Sequence, residues 1–261
     1  MSRKIVQKVE MLTRQRKDYI LEVLAREGQI VAKTLGRELK LSEDTIRRDL
    51  RELAAEGLLQ RVHGGALPAS PATVDFAGRE RIASQEKVAI GRAAAKMIEE
   101  GQVVILDGGT TAVQVARHLA RDLKATIVTH SPTIAVELTE HPMVEVVIIG
   151  GRLFKHSVVA VGAATIESVS RIRADLYLMG VTGIHPTEGL STGDLEEAHI
   201  KRALSERAAE TFVLASREKL GAASPYIIAP LAEVSGFIIE RSVPEEVVAP
   251  YGKLGLSIVR S

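Results

Sequence analysis

Across residues 79–240, six short runs rich in β-branched residues alternate with stretches of helical period, and this alternation constrains the fold more than any other feature of the chain. The runs are Val103–Leu106, Thr126–Thr129, Val144–Ile149, Leu176–Met179, Phe212–Ala215 and Phe237–Ile239. The helical stretches lie near 85–99, 111–121, 132–140, 163–171 and 196–210. Short, continuously apolar runs belong to strands covered on both faces. Helices between them carry the chain back, so the strands run parallel. Aromatics make up only 3% of the residues and Trp is absent, so the core must be aliphatic. Cys is also absent, which excludes disulfides, thiol catalysis and Cys-ligated zinc. The seven His residues show no metal-ligand spacing, and no metal or cofactor is expected.

The 261 residues leave room for a second, smaller domain before this α/β region. Residues 12–67 read as three short helices and a strand. The first helix spans about 14–26, with Tyr19, Ile20, Val23 and Leu24 on its apolar stripe and Gly28 as its stop. The second, about 31–39, is expected to bury Val31, Leu35 and Leu39. Ser42 is a natural N-cap for the third, with Glu43 and Asp44 in its first turn. On that helix Ile46, Leu50 and Leu53 share one face, while Asp44, Arg48, Arg51 and Ala55 share the opposite one, flanked by Thr45 and Arg47. Residues 58–62 alternate as a strand before the Gly64-Gly65 turn.

Charge divides unevenly. Residues 1–66 hold 14 Lys/Arg against 10 Asp/Glu, and the remainder 20 against 23. A basic head on a slightly acidic body suits nucleic acid, although a solvated charged helix accounts for the same count. If the head meets DNA, Arg48 and Arg51 are placed for base edges, with Ser42, Thr45 and Arg47 beside them. Lys33, Arg61, His63, Arg14, Arg16 and Arg37 are placed for phosphates.

The run LSEDTIRRDLRELAAEGLLQRVHGGAL, Leu41 to Leu67, resembles the signature of the DeoR/GlpR family of bacterial transcription regulators. TIRRDL (Thr45 to Leu50), the Leu53 to Leu58 spacing and the Arg61 to Ala66 closing segment carry the likeness. The resemblance implies a helix-turn-helix over about 30–49 within a small α+β winged domain, 12–67. Residues 1–11 are then an N-terminal extension, 79–240 an effector-sensing domain and 241–261 a C-terminal segment, while 68–78 (PASPATVDFAG), rich in Pro, Ala and Gly and low in charge, reads as a linker.

In the larger domain the first β-run ends at Asp107, and Gly108-Gly109-Thr110-Thr111 turns into a helix. Glycines admit a ligand close to the backbone, and free N–H groups at a helix start bind anions. A plain βα turn with a Thr cap explains the same residues. Thr129-His130-Ser131, Gly150-Gly151-Arg152, the 180–183 stretch and Ser216 to Lys219 follow the other runs. In a parallel sheet all these ends open on one edge, where ligands bind. The expected effector residues are therefore Asp107, Gly108, Gly109, Thr110, Thr111, Thr129, His130, Ser131, Arg152, Gly183 and Lys219. The family likeness continues here through GGTT, the 174–184 stretch and Glu197 to Ala203. It implies a fold similar to ribose-5-phosphate isomerase, a sugar phosphate or similar phosphorylated effector, and a homodimer or tetramer on double-stranded DNA. His130 stands where the family usually has Asn. The family's Asp-x-Ser-Lys appears as Ser216-Arg217-Glu218-Lys219.

Two rivals remain. An aldose–ketose isomerase needs a carboxylate base beside its substrate, and residues 179–183 offer none. A winged-helix protein-interaction module would not require Arg48 and Arg51 to face outward. A regulator without turnover is the expected reading, repressing carbohydrate genes. Arg3, Lys4, Lys8 and Glu10 interrupt any leader, and no run of about 18 apolar residues occurs, so the expected location is the cytoplasm with no membrane span.

Overall fold

The computed structural model of the protein describes residues 12–261, so the expected extension at 1–11 lies outside the described residues. The chain forms two compact units that divide after Ala69.

The first unit runs α1 (Thr13–Glu27), β1 (Ile30–Val31), α2 (Ala32–Leu39), α3 (Glu43–Ala55), β2 (Leu59–Val62) and β3 (Gly65–Pro68). The strands form an antiparallel sheet in the order β1-β3-β2. Its core joins Ile20, Val23 and Leu24 of α1 to Leu35 of α2 and to Ile46, Leu50 and Leu53 of α3, the apolar face expected for that helix. Val31, expected inside, is 49% exposed; the pairing of β1 with β3 turns Ile30 inward instead. Gly65 is obligatory, because a Cβ there would lie 1.7 Å from the Ile30 carbonyl oxygen. The turn between α2 and α3 is tight. Lys40 takes the left-handed conformation (φ 54°), and the Leu41 amide donates to the Gly36 carbonyl at 2.8 Å.

Arg16 was a phosphate candidate, but the fold turns it inward. It is buried and grips the fully buried Asp49 through both Nε and NH2, so α1 is tied to the middle of α3 by an ion pair.

The second unit continues with α4 (Phe76–Glu80), α5 (Ser84–Ala95), β4 (Val103–Leu106), α6 (Thr110–Arg117), β5 (Ala125–Thr129), α7 (Pro132–Leu138) and β6 (Val144–Ile148). Then come β7 (Arg152–Phe154), β8 (Val159–Val161), α8 (Ala163–Val169), β9 (Ala174–Gly180), β10 (Gly183–His185), β11 (Gly189–Thr192) and α9 (Leu195–Ser205). The chain ends with β12 (Ala208–Ala215), β13 (Tyr226–Ala229), β14 (Gly236–Ile239), α10 (Glu245–Gly252) and β15 (Ser257–Arg260). Seven strands make one parallel sheet in the order β15-β14-β12-β9-β4-β5-β6.

Each strand feeds both faces, because alternate side chains point to opposite sides. Val104 and Leu106 pack with α5, α6 and α7 residues such as Ile90, Val113 and Ile134, whereas Ile105 packs with Val169, Ile200 and Tyr251 from α8, α9 and α10. The six expected runs are all strands. The seventh, β15, and α10 come from the segment expected only as a tail.

The stretch 68–78 is not a free linker. Pro68 ends β3, and Ser70 is buried, donating to the Thr182 carbonyl and accepting from the Ala72 amide. Pro71–Thr73 make a 3-10 turn, and Asp75 caps α4 through the Gly78 amide at 2.8 Å. Its Pro, Ala and Gly content suggested flexibility, but two side-chain caps order it.

Candidate functional site

In the first unit, Ser42 accepts from the Thr45 amide at 3.1 Å and starts α3, as its position just before the acidic first turn required. The two hydroxyls also bond each other at 2.8 Å. Arg47 is held by Glu43 one turn back, at 2.9 and 2.6 Å. Arg48 and Arg51 are exposed and have no ion-pair partner among the described residues. Lys33 on α2, Arg61 on β2 and His63 in the β2–β3 turn are exposed as well. The core thus fixes α3 by one face, and two unpaired guanidinium groups stand on the other.

In the second unit, the strand order explains where a crevice opens. The chain enters the sheet at β4, proceeds to β5 and β6, then crosses back to β9 on the other side of β4. A crevice opens at the carboxyl ends of strands where the order reverses in this way. Here those ends are Asp107-Gly108 after β4 and Gly180 at the end of β9. A pocket lies there, with its floor formed by Gly108, Gly109, Thr110, Thr111 and Gly180. Gly109 sits at φ 108°, and a Cβ on Gly108 would strike Val159 at 2.2 Å, so the loop has no room for side chains. The start of α6 has no side-chain cap, and the Thr110 and Thr111 hydroxyls have no partner among the described residues.

Beneath this floor lies Asp107, fully buried. Its Oδ1 accepts from the Gly108 amide (2.8 Å) and His130 Nε2 (2.8 Å). Its Oδ2 accepts from Tyr177 OH (3.0 Å), the Gly180 amide (2.8 Å) and Lys201 Nζ (2.6 Å). Burial pushes this carboxyl up, but the Lys201 ammonium and His130 outweigh burial and hold it well below the usual carboxylate range. Asp107 therefore locks the two glycine strand ends together.

The walls carry charge. Arg79 from α4, Lys87 from α5 and Lys219 from the 3-10 turn Arg217–Lys219 all face the pocket. Lys87 and Lys219 are only 4% and 6% exposed. Arg79 donates to the Val74 carbonyl, Lys87 to the Arg79 carbonyl and Lys219 to the Leu214 carbonyl; none is ion-paired with a carboxylate among the described residues. Burial pulls the Lys219 ammonium down to about 8; Glu218 opposes that pull, while Lys87, Arg79 and Lys201 reinforce it. Three cations gathered with no direct ion pair to a carboxylate among the described residues, beside an uncapped helix start, can accept an anion. Opposite them, Glu197 accepts from Ser157 Oγ at 3.0 Å and lies 3.8 Å from Lys201 Nζ.

Residues 16–72 match the DeoR-like helix-turn-helix domain, and residues 82–241 match the DeoR C-terminal sensor domain. The chain belongs to the DeoR family. This DeoR-family protein is a helix-turn-helix DNA-binding transcription regulator. It is 34% identical to the HTH-type transcriptional regulator GlpR of Haloferax volcanii, over 95% of this chain and 98% of that one. It is also 34% identical to the HTH-type transcriptional repressor GlcR of Bacillus subtilis, over 85% of this chain and 86% of that one. It is 32% identical to the glycerol-3-phosphate regulon repressor of Escherichia coli, over 79% and 82%. A solved ribose 5-phosphate isomerase from Methanocaldococcus jannaschii overlaps 52% of this chain and 54% of its own, at a TM-score of 0.40 and 17% identity. That likeness is too distant to carry an argument about activity.

Of the eleven effector residues expected from sequence, Gly108, Gly109, Thr110, Thr111 and Lys219 line the DeoR-family pocket. Six do not. Asp107 is saturated below the floor. His130 is fully buried, with its two ring nitrogens taken by Asp107 and the Ala160 carbonyl. Thr129 accepts from the Ser131 amide and Ser131 donates to the Val158 carbonyl, both inside the fold. Arg152 has its side chain 66% exposed on β7, 3.9 Å from Glu196. Gly183 is buried in β10, where a Cβ would lie 2.7 Å from Ser191 Oγ. In the other direction, sequence reasoning missed Arg79 and Lys87 altogether, and it touched Glu197, Lys201 and Glu218 only as members of the Glu197 to Ala203 and Ser216 to Lys219 segments.

Proposed function

We propose that this regulator binds an operator through α3 and that a phosphate ester in the second-unit pocket sets its DNA affinity. The observation that carries the ligand class is the trio Arg79, Lys87 and Lys219, buried or half-buried and without carboxylate partners among the described residues. A buried cation without a direct ion-pair partner is costly, and an anion that supplies one is bound in proportion. The glycine floor and the free N–H groups of α6 suit a phosphate, and the hydroxyls of Thr110 and Thr111 extend the donor set.

Arg48 and Arg51 read bases, while Lys33, Arg61 and His63 hold phosphates and fix register. A single basic head neutralises few phosphates, so the regulator acts as a homodimer or tetramer on paired half-sites. Effector and operator are coupled by about 1–3 kcal/mol, and the effector relieves repression, in keeping with the repressor names of two relatives. No turnover is assigned. Asp107, the carboxylate nearest the floor, is saturated by five donors and cannot serve as a base.

Fluorescence polarisation with the DNA upstream of the chain's own gene tests both halves. Specific binding that a sugar or polyol phosphate weakens is the expected result. Binding that no phosphorylated compound alters would remove the ligand assignment and leave the DNA one. Arg48→Ala should weaken specific binding by about 1–3 kcal/mol while leaving non-specific binding nearly unchanged. An equal loss on both would make Arg48 a phosphate contact.

A further inference from the structure

We infer that Glu218 is the residue by which the pocket tells a phosphorylated alcohol from a phosphorylated acid; this rests on the phosphate-ester reading of the site. Glu218 stands on the pocket wall one position before Lys219. Ser216, fully buried beneath it, donates to its Oε1 at 2.6 Å and fixes the carboxylate. Its Oε2 has no partner among the described residues. The other wall carboxylate, Glu197, has Oε2 taken by Ser157 and Oε1 beside Lys201. Of the two wall carboxylates, Glu218 is the one whose free oxygen has neither a hydrogen bond nor an ion pair among the described residues, so Glu218 Oε2 is open to a ligand donor.

What this acceptor selects follows from its neighbours. A hydroxyl donates to a carboxylate at little desolvation cost. A ligand carboxylate brought to the same place is repelled and leaves Glu218 unsatisfied, which is the kind of mismatch that discriminates strongly. A ligand ammonium gains Glu218 but meets Lys87 and Lys219, which already interact with it. The neutral hydroxyl is therefore the favoured group, and the ligand is a phosphorylated polyol or sugar.

Isothermal titration of the full chain with two matched pairs decides the matter: glycerol 3-phosphate against 3-phosphoglycerate, and glucose 6-phosphate against 6-phosphogluconate. Inorganic phosphate is the control. In the pair that binds more tightly, the alcohol should win by about tenfold or more. Glu218→Gln should narrow that gap to within about threefold and leave inorganic phosphate binding no weaker. Ser216→Ala, which frees the carboxylate without removing it, should narrow it part of the way. Equal affinity within both pairs, or a gap that survives Glu218→Gln, would overturn the inference while phosphate binding kept the site itself. Absence of binding by every phosphate compound would overturn both.

Discussion

At the scale of single residues, burial is outweighed at one carboxylate of the second unit and prevails at one ammonium. Asp107 is held down by Lys201 and His130 despite burial. Its folded value lies below its ordinary 3.8, so its contribution to stability is complete above that pH and is lost only as pH falls through the lower folded value. Asp107→Asn should therefore destabilise the second unit by about 3–5 kcal/mol near neutrality, with the gap from wild type closing only well below pH 4. Denaturant melts across that range read it directly. Lys219 runs the other way. With a folded value of about 8, its charge opposes folding below that pH, and the penalty is relieved between about 8 and 10.5. Phosphate binding needs the charged form. Affinity for inorganic phosphate should fall as pH rises through about 8, far below an ordinary lysine, and Lys219→Met should flatten the profile.

None of this was readable from local sequence. The glycines and threonines after Asp107 announce themselves because four of them are contiguous. Arg79, Lys87 and Lys201 lie far apart in the chain and converge only when α4, α5 and α9 close over the strand ends. His130 looked like a ligand contact because it ends a strand, yet both its ring nitrogens are spent holding that end in place.

Among the elements, α3 depends on α1 as much as on its own amphipathic face. The Arg16–Asp49 pair bridges the two helices inside the first unit. Asp49→Ala leaves a guanidinium buried without its partner, and breaking such a pair costs about 3–5 kcal/mol. Thermal melts should show the first unit's transition lowered and the second unit's unchanged, and a single shared shift would contradict this. The elements themselves were mostly legible, because helical and two-residue periods are written into the apolar residues. What escaped was short or mixed. The sequence SIVR of β15 is four residues long and ends in Arg, and α10 contains Pro250. β15 takes its place beside β14 and against α5, and α10 takes its place through Tyr251 packed on Phe237 of β14; no local pattern does this.

For the whole molecule, the boundary between the units matters more than its length suggests. The sensor-domain match begins at residue 82, whereas the second unit begins at Ser70. The twelve intervening residues include Ala72 and Arg79, both on the pocket wall. A sensing fragment begun at residue 82 should bind inorganic phosphate about tenfold or more weaker than one begun at Ser70, since one charge-assisted contact is missing. Equal affinity in the two fragments would take Arg79 out of the anion receptor. The stretch that composition marks as mere spacer is thus part of the sensing apparatus. Insertions or deletions there would alter what the regulator perceives, and lengthening this stretch would not be the neutral change that a tether permits.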